Sequence, residues 1–107
     1  MKIVKVTYTT SAAFAGQNQQ NIKNVMADLQ NAKYPGINYH ACLSADNKTF
    51  IHTAFFNTDG DQQLLNELPS FKIFQQQLRE SVPEVLPQQE LLQLVGSSNE
   101  IFNSSIK

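Results

Sequence analysis

Three residues have side chains that could hold a metal or move a proton near neutral pH: His40, Cys42 and His52. His40 and Cys42 stand two apart, so in an extended segment they face the same way. His52 lies in the next apolar run, Thr49 to Phe56, and its relation to the other two depends on the hairpin between them. A two-residue turn at Asp46-Asn47 pairs Ala45 with Lys48 and sets Ala41 opposite His52, which leaves His52 on the other face. A three-residue loop over Asp46 to Lys48 sets Cys42 opposite His52. All three would then share a face, because a slip of one residue carries a strand's side chains across the sheet. Two imidazoles and a thiolate would then approach the three protein ligands of a metal site. Turn chemistry favours the tight turn and no nearby Asp or Glu offers an outer shell, so no metal is expected.

His52 alone has two readings. The plainer and favoured one is a partly buried imidazole held by a backbone or Tyr partner. The other makes it the polar group of an apolar cavity lined by Phe50, Phe56 and Phe74, where it could act as a general acid or base. The residues that would meet a ligand there are Tyr8, Tyr39, Phe50, His52, Phe56 and Phe74, although strand and helix spacing already explains these aromatics as core. Cys42 reads as a small hydrophobe without a Cys-His-acid set around it, and as the only cysteine it forms no intramolecular disulfide. Asp59 and Asp61 suit a helix N-terminus better than a catalytic pair. Thr10-Ser11 and Gly16 make no phosphate loop.

The elements that must position these groups follow from periodicity. Lys2 to Thr10 alternates Val4, Val6 and Tyr8 against Lys5, Thr7 and Thr9, a strand with one apolar face. Thr10 to Gly16 reads as a loop, and Gln17 to Lys33 as a helix with Ile22, Val25, Met26 and Leu29 on one stripe. Pro35-Gly36 stops it. Ile37 to Ala45 and Thr49 to Phe56 form the hairpin. Thr58 to Asp61 caps a short helix through Leu64, Leu65 and Leu68. Pro69-Ser70 restarts helix along Phe71, Phe74, Leu78 and Val82. Pro83 and Pro87 bracket a linker, and Gln88 to Val95 reads as a last strand because it completes β-α-β-β-α-β, a ferredoxin-like α+β unit with an antiparallel sheet. The domain is thus residues 1–95, with 96–107 a polar C-terminal tail, either loose or laid on a partner.

Thr49 to Phe56 is apolar on both faces, which predicts a central strand covered on both sides. Two helices can cover one side of a small sheet, and a second copy of the chain is the simplest cover for the other. A homodimer is therefore expected.

Tyr34-Pro35-Gly36-Ile37, the hairpin, and Leu68-Pro69-Ser70-Phe71-Lys72-Ile73-Phe74 together resemble the antibiotic-biosynthesis monooxygenase-like family. The resemblance spans about Lys2 to Val95 and implies a dimeric α+β barrel that binds flat hydrophobic molecules without a cofactor. Its haem-degrading and quinone-oxidising members use an Asn at the end of the first strand, a Trp, and in the haem branch a His in the second helix. Here those places read Tyr8-Thr9-Thr10, no Trp at all, and Gln75; the Glu and Trp common late in the third strand correspond to Ala54 and Phe56. The resemblance therefore implies the architecture and not haem degradation, and cofactor-free oxygenation loses its known apparatus here.

The 107 residues suit one domain with its own core. Only 16% are charged, and Gln and Asn clusters take their place as uncharged helix surface. A net charge of −1 with scattered basic residues argues against nucleic acid. Met1 to Val6 runs directly into a strand pattern rather than a signal-peptide core, and no stretch approaches the ~20 apolar residues of a membrane span. A cytoplasmic protein without membrane partners is expected. Its function is expected to be binding of a small hydrophobic or aromatic molecule in a homodimer, with a cofactor-independent monooxygenase-like or isomerase-like reaction. The alternative is a non-catalytic dimeric structural or stress-related module.

Overall fold

The computed structural model describes residues 1–102. In chain order the elements are β1 (Lys2–Thr9), α1 (Ala12–Ala32), β2 (Ile37–Leu43), β3 (Thr49–Phe56), α2 (Asp59–Glu67), α3 (Pro69–Glu80) and β4 (Val85–Leu92). The four strands form one antiparallel sheet in the order β2-β3-β1-β4. This is the ferredoxin-like arrangement, its second helix broken between Glu67 and Pro69 because proline at N1 starts a helix readily but cannot continue one. None of the helices among the described residues is long and apolar enough to cross a membrane.

β3 is central, as its sequence requires. Phe50, His52, Ala54 and Phe56 are buried towards the helices, while Ile51, Thr53 and Phe55 on the opposite face are half-buried. On that opposite face Leu92, Ile3, Phe55 and Asn38 lie in one row across all four strands. The chain leaving β4 returns to the far end of this row, where the Ile101 carbonyl accepts a hydrogen bond from Asn38 Nδ2 at 3.4 Å. Crossing three strand spacings requires about 14 Å, well within the reach of the intervening residues. Ile101 of the expected tail thus meets its own subunit; 103–107, the end of that tail, lie outside the described residues.

Several boundaries differ from the sequence expectation, among them the ends of β2 at Leu43 rather than Ala45 and of β4 at Leu92 rather than Val95. Helix α1 begins at Ala12 rather than Gln17, because Ser11 caps it by accepting from the Phe14 N–H at 3.2 Å and alanines fill the first turn. Strand β4 begins at Val85, so Pro87 lies inside a strand and not in a linker. An edge strand beside a register irregularity, here between Thr7 and Thr9, tolerates proline because no ladder donor is required of it. The hairpin has the register of the tight turn, with Ala41 opposite His52, but its connection is longer. Ser44 and Thr49 close it, Asn47 sits at φ 64°, and the Asp46 carboxylate accepts from Lys48 N, Thr49 N and Thr49 Oγ1.

The β3–α2 junction is fixed by a capping box: Thr58 Oγ1 accepts from Asp61 N, and Asp61 Oδ2 accepts from Thr58 N at 2.9 Å. Gly36, buried at the foot of β2, faces the same carboxylate, so a methyl group there would run into it. Gly36→Ala is expected to displace Asp61 from the box and lower stability by about 0.5–2 kcal/mol, the usual cost of a lost cap. In an Asp61→Ala background the same change should cost much less. Urea unfolding of the four proteins of this cycle measures the coupling, and strict additivity would refute the contact.

Candidate functional site

The sheet register decides which residues meet. His52 is flanked by Val6 on β1 and Ala41 on β2, and all three point to the helix side. Tyr8 and Tyr39 stand two positions away along those neighbouring strands and point the same way. Their hydroxyls close on the imidazole from opposite sides: Tyr8 Oη lies 2.8 Å from His52 Nε2, and Tyr39 Oη lies 2.6 Å from Nδ1. Asn18 of α1 continues the chain, its Nδ2 donating to Tyr8 Oη at 2.8 Å. Asn18 is fully buried and its Oδ1 has no partner among the described residues.

Aromatic rings wall this chain. Phe74 lies 5.4 Å from the imidazole, centroid to centroid, and Phe71 meets Tyr39 edge-on at 6.4 Å. Between sheet and helices a cavity of about 430 Å³ opens, with Tyr8, Tyr39, His52, Phe56 and Phe74 all on its wall. Apolar groups such as Val4, Ala54 and Leu65 complete the lining. Exposed Asn66, Gln75, Arg79 and Gln89 stand at the solvent side, and among the described residues Arg79 is the only formally charged group there. Phe50 is placed differently from its fellow candidates. Its ring stacks on Tyr8 at 5.5 Å and borders a separate, wider groove between α1 and β2.

Burial governs the electrostatics. His52 is 5% exposed with no carboxylate against it, and burial pulls its pKa down from 6.5 to about 4. The imidazole is neutral at pH 7. Burial also pushes both tyrosine hydroxyls above the ordinary phenol range, so they stay protonated. With both ring nitrogens engaged, His52 is held between Tyr partners, as its favoured reading expects, and it also borders the cavity. It is not free to take a ligand's proton directly.

His40 and Cys42 are exposed on the opposite, helix-free face, so the three soft-ligand candidates do not converge. Asn18 was not foreseen. Neither was Asn21, which is also buried and donates to Gln77 Oε1 at 2.8 Å, tying α1 to α3. The available signal was spacing: extending Leu29, Val25 and Ile22 backwards in steps of three and four arrives at Asn21, Asn18 and Ala15.

No protein-family model and no curated protein matches this chain. Solved structures do. A protein assigned as an antibiotic biosynthesis monooxygenase from Bacteroides thetaiotaomicron superposes with a TM-score of 0.79 at 7% identity, covering 92% of this chain and 93% of that one. One so assigned from Deinococcus radiodurans gives 0.70 at 17% identity, covering 94% and 98%. A mutant of SnoaB, a cofactor-independent oxygenase from Streptomyces nogalater, gives 0.66 at 15% identity, covering 92% and 98%. The chain shares the fold of the antibiotic biosynthesis monooxygenases over nearly its whole length.

The depressed His52 pKa has a measurable consequence. The unfolded state takes up the proton near pH 6.5 and the folded state only near pH 4, so stability falls as pH drops between those values. The expected loss is of order 3 kcal/mol across that window, full stability being present above it. Denaturant unfolding of wild type and His52→Gln from pH 7 to pH 4 isolates this contribution. Parallel pH profiles for the two proteins would contradict it.

Proposed function

We propose that the chain works as a homodimer, each subunit binding a small hydrophobic or aromatic molecule in the cavity above His52. The observation that carries this reading is the cavity itself. It has the size and apolar lining of a small-molecule site, with few convergent polar groups at its floor. The fold shared with SnoaB, named a cofactor-independent oxygenase, supports a reaction of that class or an isomerisation, run by side chains alone. The catalytic candidate is His52 acting through its tyrosines.

One observation favours a second reading, a dimeric module that binds without turnover. Both His52 nitrogens are committed and its pKa of about 4 makes it a weak base at neutral pH.

Dimerisation is supported by the apolar surface that the helices leave uncovered. Leu86 and Leu91 of β4 are 70% and 66% exposed, and Leu94 and Val95 follow them into solvent. A free edge strand with such side chains invites a second chain.

Two experiments test the reading. Titration with 2-naphthol, followed by NMR shifts at Phe74 and His52, should show saturable binding. Ala54→Leu, which narrows the cavity from β3, should weaken it about tenfold or more. Unchanged affinity in a folded variant would place the probe elsewhere. Native mass spectrometry over a dilution series should give a dimer at micromolar concentration, weakened at least about tenfold by Leu91→Asp. A strict monomer would refute the assembly.

A further inference from the structure

A neutral imidazole carries one hydrogen, so a chain of hydrogen bonds through it has a direction. Two directions are open in principle between Tyr8 and Tyr39. The Asn18 amide selects one. It turns Nδ2 towards Tyr8 Oη, so Tyr8 accepts there and its own hydrogen must go elsewhere. Among the described residues the only other partner within reach is His52 Nε2 at 2.8 Å. Tyr8 therefore donates to Nε2, and the ring hydrogen sits on Nδ1. Nδ1–H then donates to Tyr39 Oη at 2.6 Å. Tyr39 now accepts from the ring, and its own O–H has no acceptor among the described residues. With the Asn18 amide in this orientation, the opposite direction would have Nε2–H and Asn18 Nδ2–H both donating to Tyr8, with the Tyr8 hydrogen stranded in a fully buried site.

Tyr39 lines the cavity. We propose that Tyr39, rather than His52, is the group that meets the ligand, presenting its O–H to a carbonyl-type acceptor on an uncharged aromatic molecule, with Asn18, Tyr8 and His52 as the positioning residues that hold that hydrogen outward. This rests on the cavity being a ligand site and adds the ligand's chemical class. The edge contact of Phe71 with Tyr39 restricts the phenol ring, and Phe74 beside the imidazole offers an apolar face to the ligand's body. Neutrality of the imidazole at pH 7 preserves the direction of the chain.

The test has a part that needs no ligand. In wild-type protein labelled with ¹⁵N-histidine, the His52 resonances at pH 7 should show the proton on Nδ1 and a bare Nε2. A proton on Nε2 overturns the proposed direction. For the ligand, acetophenone and ethylbenzene share size and shape, and only the former carries an acceptor. Tyr39→Phe should weaken acetophenone about tenfold, the value of one buried hydrogen bond, and leave ethylbenzene within about twofold. Equal effects on both probes would show that Tyr39 only packs, which overturns the proposal. If wild type binds neither probe, the cavity reading fails and the ligand role of Tyr39 fails with it, whereas the Nδ1 proton is still decided by the spectrum.

Discussion

A histidine enclosed in an apolar slot with no counter-charge must stay neutral, and that requirement constrains much of this structure. Ionising His52 there would leave a buried charge unpaired, a far larger penalty than keeping the proton off. Neutrality in turn demands one donor and one acceptor as partners, and a tyrosine hydroxyl can serve as either. Tyr8 and Tyr39 fill those places only if β1 and β2 flank β3 with Val6 and Ala41 opposite His52. A slip of one residue in either pairing would carry a phenol to the other face of the sheet and leave a ring nitrogen unsatisfied. The polar chain and the sheet register therefore specify each other.

The helical layer is matched to part of the sheet. α1 and α3 pack together over β3 and β1, joined through Asn21 and Gln77. They do not reach β4, whose side chains are exposed along its whole length. The cavity opens on that side, where Pro87 and Gln89 of β4 face Arg79 of α3. The same incomplete cover thus leaves both an entrance to the tyrosine–histidine floor and an apolar edge strand. A subunit packed against that edge would also close one flank of the entrance, so assembly and access to the site are geometrically linked.

Much of this was legible in the residues. Two-residue alternation in Lys2–Thr9 and Thr49–Phe56 was enough to place β1 and the central strand, and Pro35-Gly36 and Pro69 marked helix boundaries within a residue or two. The hairpin register followed from turn chemistry even though the connection proved longer, since Ser44 pairing with Thr49 preserves the same alignment as Ala45 with Lys48. The first five residues of α1, Ala12 to Gly16, were hidden because alanine and glycine carry no hydrophobic period, and the Ser11 cap and Phe14 were the local signs of its start. Asn18 was hidden for a related reason. An amide on a helical stripe reads as surface unless its buried partner is known, and Tyr8 comes from a strand on the other side of the α1 turn. Nothing in sequence fixes which tyrosines reach a histidine, because that depends on strand pairing and not on spacing alone.

The way the slot is filled bears on what it is for. Leucine at position 18 and phenylalanines at 8, 39 and 52 would occupy similar space with no polar atom to satisfy. The chain present instead leaves Asn18 Oδ1 unpartnered, a cost of roughly 1–3 kcal/mol, and keeps an imidazole desolvated far from its ordinary pKa. A buried polar network with an unsatisfied member contributes less to stability than an apolar core. The network adds register specificity to a strand that already buries Phe50, Ala54 and Phe56. The network also lies at the wall of the cavity, where its open end can meet something other than the protein. A hydrogen-bond chain that ends at a cavity wall supports the proposed binding role. With 7–17% identity to its structural neighbours, the chain shares their scaffold, and a scaffold by itself does not carry a function.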